Sequence, residues 1–398
     1  MPLKYNSSNT ENRTSFKEGQ WEKPTLDSVR ESSPYIRPAL KNAPNKVDPP
    51  TEGAMRHKGL DTSKIRGMGL NESCYPPSPK VIQAMRDNLG AVNLYPDAQC
   101  PRLSDIIAER TGVDHDCIVW GNGSEELLKG AIDLSLSPGQ GLVLPVPTFW
   151  GYKSLIAAFE ADVVEVENLP DGHTDIDGIL AAIHSDTKIV FLITPNNPTG
   201  RMIDKAGIEK IIKGVPEDIL LCVDEAYFDF GLHAGGPNVL EILKTRTGPW
   251  ITVFTFSKAY AMAGMRIGYA LCSDAELAQA LQKTTCVFNV PLLAQYAGEA
   301  ALLDIEYRDF ILTQIVAGRD QLYTGLKELG LTPIPSVANF VSTPVSMHGQ
   351  DIMKAMLNRG VQINAWADRG YENYIRITVG TQADNTVCLA SLKEVLSQ

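Results

Sequence analysis

No apolar run in the chain approaches the ~20 residues that a membrane-spanning helix needs, and the first thirty residues are polar, without the hydrophobic stretch of a secretory leader. The seven cysteines stand apart at 74, 100, 117, 222, 272, 286 and 388, with no CxxC among them, which fits reduced thiols rather than a disulfide scaffold. The six histidines show no HExxH or similar ligand spacing, so no metal is expected. Positive charge is in deficit: the net charge of −11 argues against nucleic acid or an anionic membrane as partner. There is no internal repeat and no low-complexity segment. These absences leave a reduced, cytoplasmic protein of 398 residues, long enough for a large and a smaller domain with their own cores.

The chain is organised around ITVFTFSKAYAMAGMRIGY, residues 251–269. Ile251 to Phe256 are β-branched or aromatic and predict a buried strand. The strand runs into Ser257 and Lys258, and burying an ammonium is costly. A desolvated lysine has a lowered pKa and is a usable amine nucleophile, as a Schiff base with a carbonyl requires. Arg266 is permanently charged and suited to bidentate contact with phosphate. A lysine with a nearby arginine, Thr255 and Ser257 suits a cofactor bearing both an aldehyde and a phosphate, although a strand-end lysine taken alone is more often a solvated terminus.

Other stretches point to the same chemistry. DCIVWGNGSEELLKGAIDLSL (116–136) is strand, glycine turn and helix, and it offers the free N–H groups of Gly123, Ser124 and Glu125 to an anion. Its spacing is not the GxGxxG of dinucleotide sites. TKIVFLITPNNPTG (187–200) is a buried strand whose polar end carries Asn197, where open α/β sheets place ligands. DILLCVDEAYFDF (218–230) ends its apolar run at Asp224, and a buried carboxylate needs a cation. Strands alternate with helices over about residues 90–270, which predicts a mostly parallel sheet covered on both faces.

SKAYAMAGMRIGY, together with these motifs in the same order, closely resembles the class I/II aminotransferases, in particular the histidinol-phosphate aminotransferase branch. The resemblance runs from about Ser33 to the C-terminus. It implies the fold-type I architecture of enzymes that use pyridoxal 5'-phosphate (PLP). The expected organisation is an N-terminal arm and linker over 1–66, a large cofactor domain over 67–295 and a small C-terminal α/β domain over 296–398. Residues 1–32 read as a loose arm and SPYIRPALKNAP (33–44) as the family's lead-in.

By the same resemblance Lys258 is the Schiff-base lysine and the general base and acid at the substrate α-carbon. Asp224 holds the proton of the pyridine nitrogen and keeps the ring an electron sink. Asn197 and Tyr227 meet the phenolate oxygen, and Phe149, flanked by Trp150 and Tyr152, stacks on the ring. Thr255, Ser257, Arg266, the 123–125 backbone and Tyr95 from the other subunit of a homodimer anchor the phosphate. Tyr75, Asn339 and Arg376 match substrate-side positions. The reaction implied is transfer of an amino group from an amino donor to a 2-oxo acid. Decarboxylation or elimination at the same carbon, and PLP binding without catalysis, are the alternatives.

One departure bears on substrate. Relatives acting on histidinol phosphate carry a second arginine, which at the usual spacing falls on Asn364; Arg359 and Arg369 flank it. Ser73-Cys74 also replaces the usual Asn-Pro. A phosphate monoester is best held by more than one cation. One arginine suits one carboxylate, so an α-amino acid is the expected donor and histidinol phosphate a poor one, unless Arg369 shifts into the missing place.

Overall fold

The computed structural model describes residues 36, 37, 40, 41, 49–366 and 368–397. The arm expected over 1–32, and most of the lead-in and the start of the linker, lie outside the described residues.

Twelve strands follow one another among the described residues: β1 (Arg66–Gly67), β2 (Ile118–Gly121), β3 (Gly141–Val146), β4 (Asp162–Glu167), β5 (Thr187–Ile193), β6 (Leu220–Asp224), β7 (Trp250–Thr255), β8 (Gly268–Cys272), β9 (Phe340–Pro344), β10 (Val361–Gln362), β11 (Asn364–Ala365) and β12 (Tyr374–Thr378). β2 to β8 make one sheet in the order β2-β8-β7-β6-β5-β3-β4. β8 is antiparallel to both neighbours and every other pairing between neighbours is parallel. The expected α/β fold with a mostly parallel sheet is thus what forms.

The sheet is apolar on both faces, and that is why its strands read as continuous hydrophobic runs. Successive side chains point to opposite faces. Leu142, Ile189, Phe191, Cys222, Ile251 and Val253 enter one core cluster. Val143, Val190, Leu192, Leu221, Val223 and Leu271 enter the other. Helix Ser124–Ser135 covers the first face through Leu127, Leu128, Ala131 and Ile132.

A second, antiparallel sheet has the order β11-β12-β9. Its core cluster holds Phe340, Ile375 and Ile377 with Leu322 and Leu326 of the long helix Ile305–Glu328. The division expected at 295/296 falls inside helix Leu292–Leu303, whose Ala294, Ala297, Ala301 and Leu302 still pack in the core of the large sheet. Residues 49–66, expected as linker, carry a helix at Glu52–His57 capped by Thr51, and β1 pairs with β10. Beyond β1 the chain stays on the smaller sheet, where the Met68 N–H donates to the Gln362 carbonyl and its own carbonyl accepts from the Thr378 N–H, both at 2.8 Å. That route delivers Asn71 to the ends of the large sheet.

Candidate active site

Three neighbouring parallel strands end together. The register pairs Ile193 with Asp224 and Asp224 with Val253, so Asn197, Asp224 and the Thr255–Lys258 turn leave the sheet side by side at its carboxyl end. Lys258 points its ammonium at the Asn71 carbonyl (2.9 Å), with the Tyr227 ring centroid 5.8 Å away. Burial, and then the Arg376 charge, bring its pKa down from the usual lysine range to about 8. The lowered pKa leaves a minority of Lys258 amines unprotonated near physiological pH, far more than an ordinary lysine has.

Asp224 is buried, and burial pushes its carboxyl above the usual range. It accepts from the Tyr152 hydroxyl at 3.0 Å and from the Ala226 N–H at 3.0 Å. The sequence left Tyr152 as a flanking aromatic; the structure makes it a partner of Asp224. Helix Gly151–Ile156 carries Tyr152 beneath the sheet end, where it is fully buried against Phe191. No spacing rule connects residues 72 positions apart.

Asn71 is the other residue that sequence reasoning undervalued. Its backbone is left-handed, with φ 54°, a conformation asparagine tolerates better than most residues. The backbone N–H and the side-chain carbonyl of Asn71 both meet the Thr378 hydroxyl, at 2.9 and 3.2 Å. Its side-chain amide donates to the Tyr227 hydroxyl at 2.8 Å, and its carbonyl accepts from Asn339 at 3.1 Å as well as from Lys258. Asn71 therefore joins Lys258, Tyr227 and Asn339. Burial pushes the Tyr227 phenol up to about 12.

Arg376 lies buried on β12, donating to the Asn197 side-chain oxygen at 2.6 Å and to the Gly69 carbonyl at 2.8 Å. Its Nε has no partner among the described residues. Asn364 is directly opposite Arg376 in the strand register and donates to the same Gly69 carbonyl at 3.3 Å. The position expected for the missing second arginine is therefore the residue paired with Arg376, and it is an asparagine; Arg369 is exposed.

At the turn after β2, Gly123 has φ 78° and precedes helix Ser124–Ser135, whose first turn has no side-chain cap. A Cβ on Gly123 would lie 2.5 Å from Arg266 Nη2, so only glycine lets the guanidinium reach this helix start. A Cβ on Gly268 would lie 2.7 Å from the Ser124 nitrogen, so the two segments are in close contact through glycines. The Thr255 hydroxyl donates to Ser257 Oγ at 3.0 Å and accepts from the Ser257 N–H at 3.1 Å. Free helix N–H groups, a guanidinium and two hydroxyls together suit an anion of the phosphate type. Glu125 lies in the first turn of this helix; the neighbouring Glu126 carboxylate is held by the Asn122 N–H at 2.6 Å and by Asn289 at 2.8 Å.

Phe149 is half-buried and lies against Trp150, with ring centroids 5.2 Å apart. A cavity of about 250 Å³ opens beside it, reaching Asn197, Asn364 and Arg376. Two expected site residues stand elsewhere within the chain. Tyr95 is 81% exposed and stacks on Phe288 at 4.7 Å. Tyr75 packs edge-on to Phe310 at 5.7 Å, with its hydroxyl 3.5 Å from Gln314 on the long helix. Among the described residues no cluster of side chains could hold a metal ion.

The donor set fits PLP on its own terms. A buried carboxylate with no ion pair among the described residues suits a protonated ring nitrogen, a depressed lysine suits the aldehyde, and the glycine cradle beside Arg266 suits the phosphate.

Comparison with known proteins agrees. The family profile "Aminotransferase class I and II" matches residues 63–392. The chain is similar to histidinol-phosphate aminotransferase 2 of Carboxydothermus hydrogenoformans, 35% identical over 91% of this chain and 99% of that protein. It is similar to histidinol-phosphate aminotransferase of Akkermansia muciniphila, 36% identical over 87% and 94%. Among solved structures it superposes on histidinol-phosphate aminotransferase from Sinorhizobium meliloti in complex with pyridoxal-5'-phosphate, with a TM-score of 0.84, 28% identity and coverage of 92% and 99%.

Proposed function

Because the chain belongs to the class I and II aminotransferase family, we propose that its amino donor is an α-amino acid held through its carboxylate by Arg376, in preference to a phosphate monoester. The chain is a PLP-dependent aminotransferase of the histidinol-phosphate aminotransferase-like branch, working between an amino donor and an oxo-acid acceptor. The observation that carries the donor reading is the register of β11 on β12, which sets Asn364, and no second cation, opposite Arg376. A charge-assisted hydrogen bond contributes about 1.5–3 kcal/mol, so one absent arginine weakens a dianion roughly tenfold to a hundredfold. The relatives are named for histidinol phosphate; this reading departs from them at that position.

When bound, PLP supplies an electron sink for the bond broken at the substrate α-carbon. The roles of the protein groups follow from their surroundings. Lys258, through the part of its amine that is unprotonated, would take the proton from that carbon and deliver it to the carbon that carried the cofactor's aldehyde. Asp224, oriented by Tyr152, holds a proton on the ring nitrogen. Tyr227 and Asn197 are assigned to the phenolate oxygen and Phe149 to the ring face. Gly123, Ser124, the Glu125 backbone, Thr255, Ser257 and Arg266 are assigned to the phosphate. Asn339 fixes the Asn71 carbonyl on which the Lys258 amine rests.

We read the enzyme as a homodimer. Leu89, Val92, Leu94, Tyr95 and Val287 are each more than half exposed, an apolar strip beyond ordinary scattered exposure. It includes the tyrosine whose expected role lies in another subunit. No helix among the described residues is long and apolar enough to cross a membrane. A cytoplasmic location remains our reading, supported by seven unpaired cysteines.

The test is a panel of donors added to the PLP enzyme without acceptor, read as loss of the cofactor's visible absorption band. α-Amino acids are expected to bleach the band faster than histidinol phosphate. Faster bleaching by histidinol phosphate overturns the reading.

A further inference from the structure

Strand β12 reaches the site with two side chains. Arg376 and Thr378 are two residues apart on it, so they leave the strand on the same face. Thr378 is buried, and its hydroxyl has two partners on one residue: it accepts from the Asn71 N–H at 2.9 Å and lies 3.2 Å from the Asn71 side-chain oxygen. A hydroxyl has a single proton to give. The backbone N–H already supplies the proton of the first contact, so the hydroxyl's own proton goes to the Asn71 side-chain oxygen. The amide of Asn71 is thereby fixed with its nitrogen on the other side, where it donates to the Tyr227 hydroxyl at 2.8 Å.

The direction of this chain decides what Tyr227 can do. Its oxygen accepts from Asn71, so its own proton is left to be given elsewhere, and that proton has no acceptor among the described residues. Burial keeps the group a neutral phenol, pushed up to about 12. With Asn71 turned the other way round, the amide oxygen would take the Tyr227 proton and the tyrosine would have nothing to donate. Arg376 acts alike on Asn197, the other residue assigned to the phenolate oxygen. Its donation to the Asn197 side-chain oxygen at 2.6 Å leaves the Asn197 amide nitrogen as the donor end.

Resting on the assignment of Tyr227 to the cofactor's phenolate oxygen, we propose that Thr378 is a positioning residue, which through Asn71 aims the Tyr227 proton at that oxygen. A donor to the phenolate stabilises it as an anion. It also weakens the hold of that oxygen on the proton of the Schiff-base nitrogen, so the nitrogen loses its proton at lower pH. Thr378 touches neither cofactor nor substrate in this role and acts only through Asn71.

The test is the pH titration of the visible band of the PLP-loaded enzyme, which needs no turnover. Thr378→Val keeps the shape and removes the hydroxyl; it should raise the midpoint by about 0.5 or more, a threefold change in the proton equilibrium. Thr378→Ser restores the hydroxyl and should return the midpoint to within about 0.2 of wild type. Asn71→Gly tolerates the left-handed backbone and keeps the N–H and the carbonyl, but removes the amide. It should raise the midpoint too, and the double variant should shift no further than Asn71→Gly alone, because the two groups act along one chain. Thr378→Ala takes the place of the valine variant if that one fails to fold. A midpoint unchanged in the folded Thr378 variant, or shifts at the two positions that add in full, overturns the proposal. Tyr227→Phe separates it from its premise. If that variant leaves the midpoint unchanged, the assignment of Tyr227 to the phenolate falls and this proposal with it. If Tyr227→Phe raises the midpoint and the folded Thr378 variant does not, only the role of Thr378 falls.

Discussion

Tyr152 donates its hydroxyl to Asp224 at 3.0 Å, and both side chains are buried. A buried carboxylate left without hydrogen bonds would take up a proton instead of staying charged. The Tyr152 hydroxyl and the Ala226 N–H favour its ionised form, and the charge on Lys258 does so more weakly. The pair therefore keeps an anion available where a cationic ring nitrogen is expected.

Tyr152→Phe should lower kcat/KM roughly tenfold, the effect of about 1.5 kcal/mol for a hydrogen bond to a charged group. Asp224→Ala should lower it by several orders of magnitude. Steady-state kinetics on both variants checks the order. An Asp224→Ala enzyme within tenfold of wild type would show that this carboxylate does not serve the ring.

Lys258→Ala should abolish turnover and the cofactor's visible band, with far-ultraviolet circular dichroism unchanged. A variant that keeps the band places the covalent attachment on another residue.

The lowered pKa of Lys258 also predicts a stability effect in cofactor-free enzyme. The folded pKa is about 8 and the unfolded one about 10.4, so between those values the unfolded chain binds more protons and wild-type stability rises with pH. Below about pH 8 the folded state carries the full cost of the buried ammonium. Lys258→Met should therefore melt several degrees above wild type at pH 7, and the gap should shrink between pH 8 and 10. Calorimetric melting of the two cofactor-free proteins measures it; a gap constant with pH would mean that Lys258 is not the titrating group.

Asn364→Arg should improve kcat/KM for histidinol phosphate tenfold or more, since the new guanidinium would stand across from Arg376 on the adjoining strand. A variant without any gain would show that the position does not reach the substrate's anionic end.

Tyr95→Ala should leave the melting temperature of the cofactor-free protein nearly unchanged, because the side chain is 81% exposed within its own chain. It should weaken PLP retention measured by equilibrium dialysis if the residue serves a partner's phosphate site. Light scattering on the wild type tests the dimer directly: a monomer would exclude this role.

The sequence by itself determined the fold class, the cofactor and the strand-end groups. Asp224 and Lys258 could be found because each interrupts a buried strand with a charge that apolar surroundings do not tolerate, and Asn197 because it crowds a polar strand end. The family's spacing put the missing arginine's place at Asn364, but that this residue stands directly opposite Arg376 on a paired strand was decided only by the structure. Tertiary structure alone decided the rest. The Asn71 N–H bond to the Thr378 hydroxyl, the Lys258 bond to the Asn71 carbonyl and the Tyr152 bond to Asp224 join segments separated by 307, 187 and 72 positions. Hydrophobic periodicity encodes which face of an element is buried, not which buried polar atom meets another across the core. Those meetings are fixed only when the two sheets and the 66–71 segment close around the same strand ends.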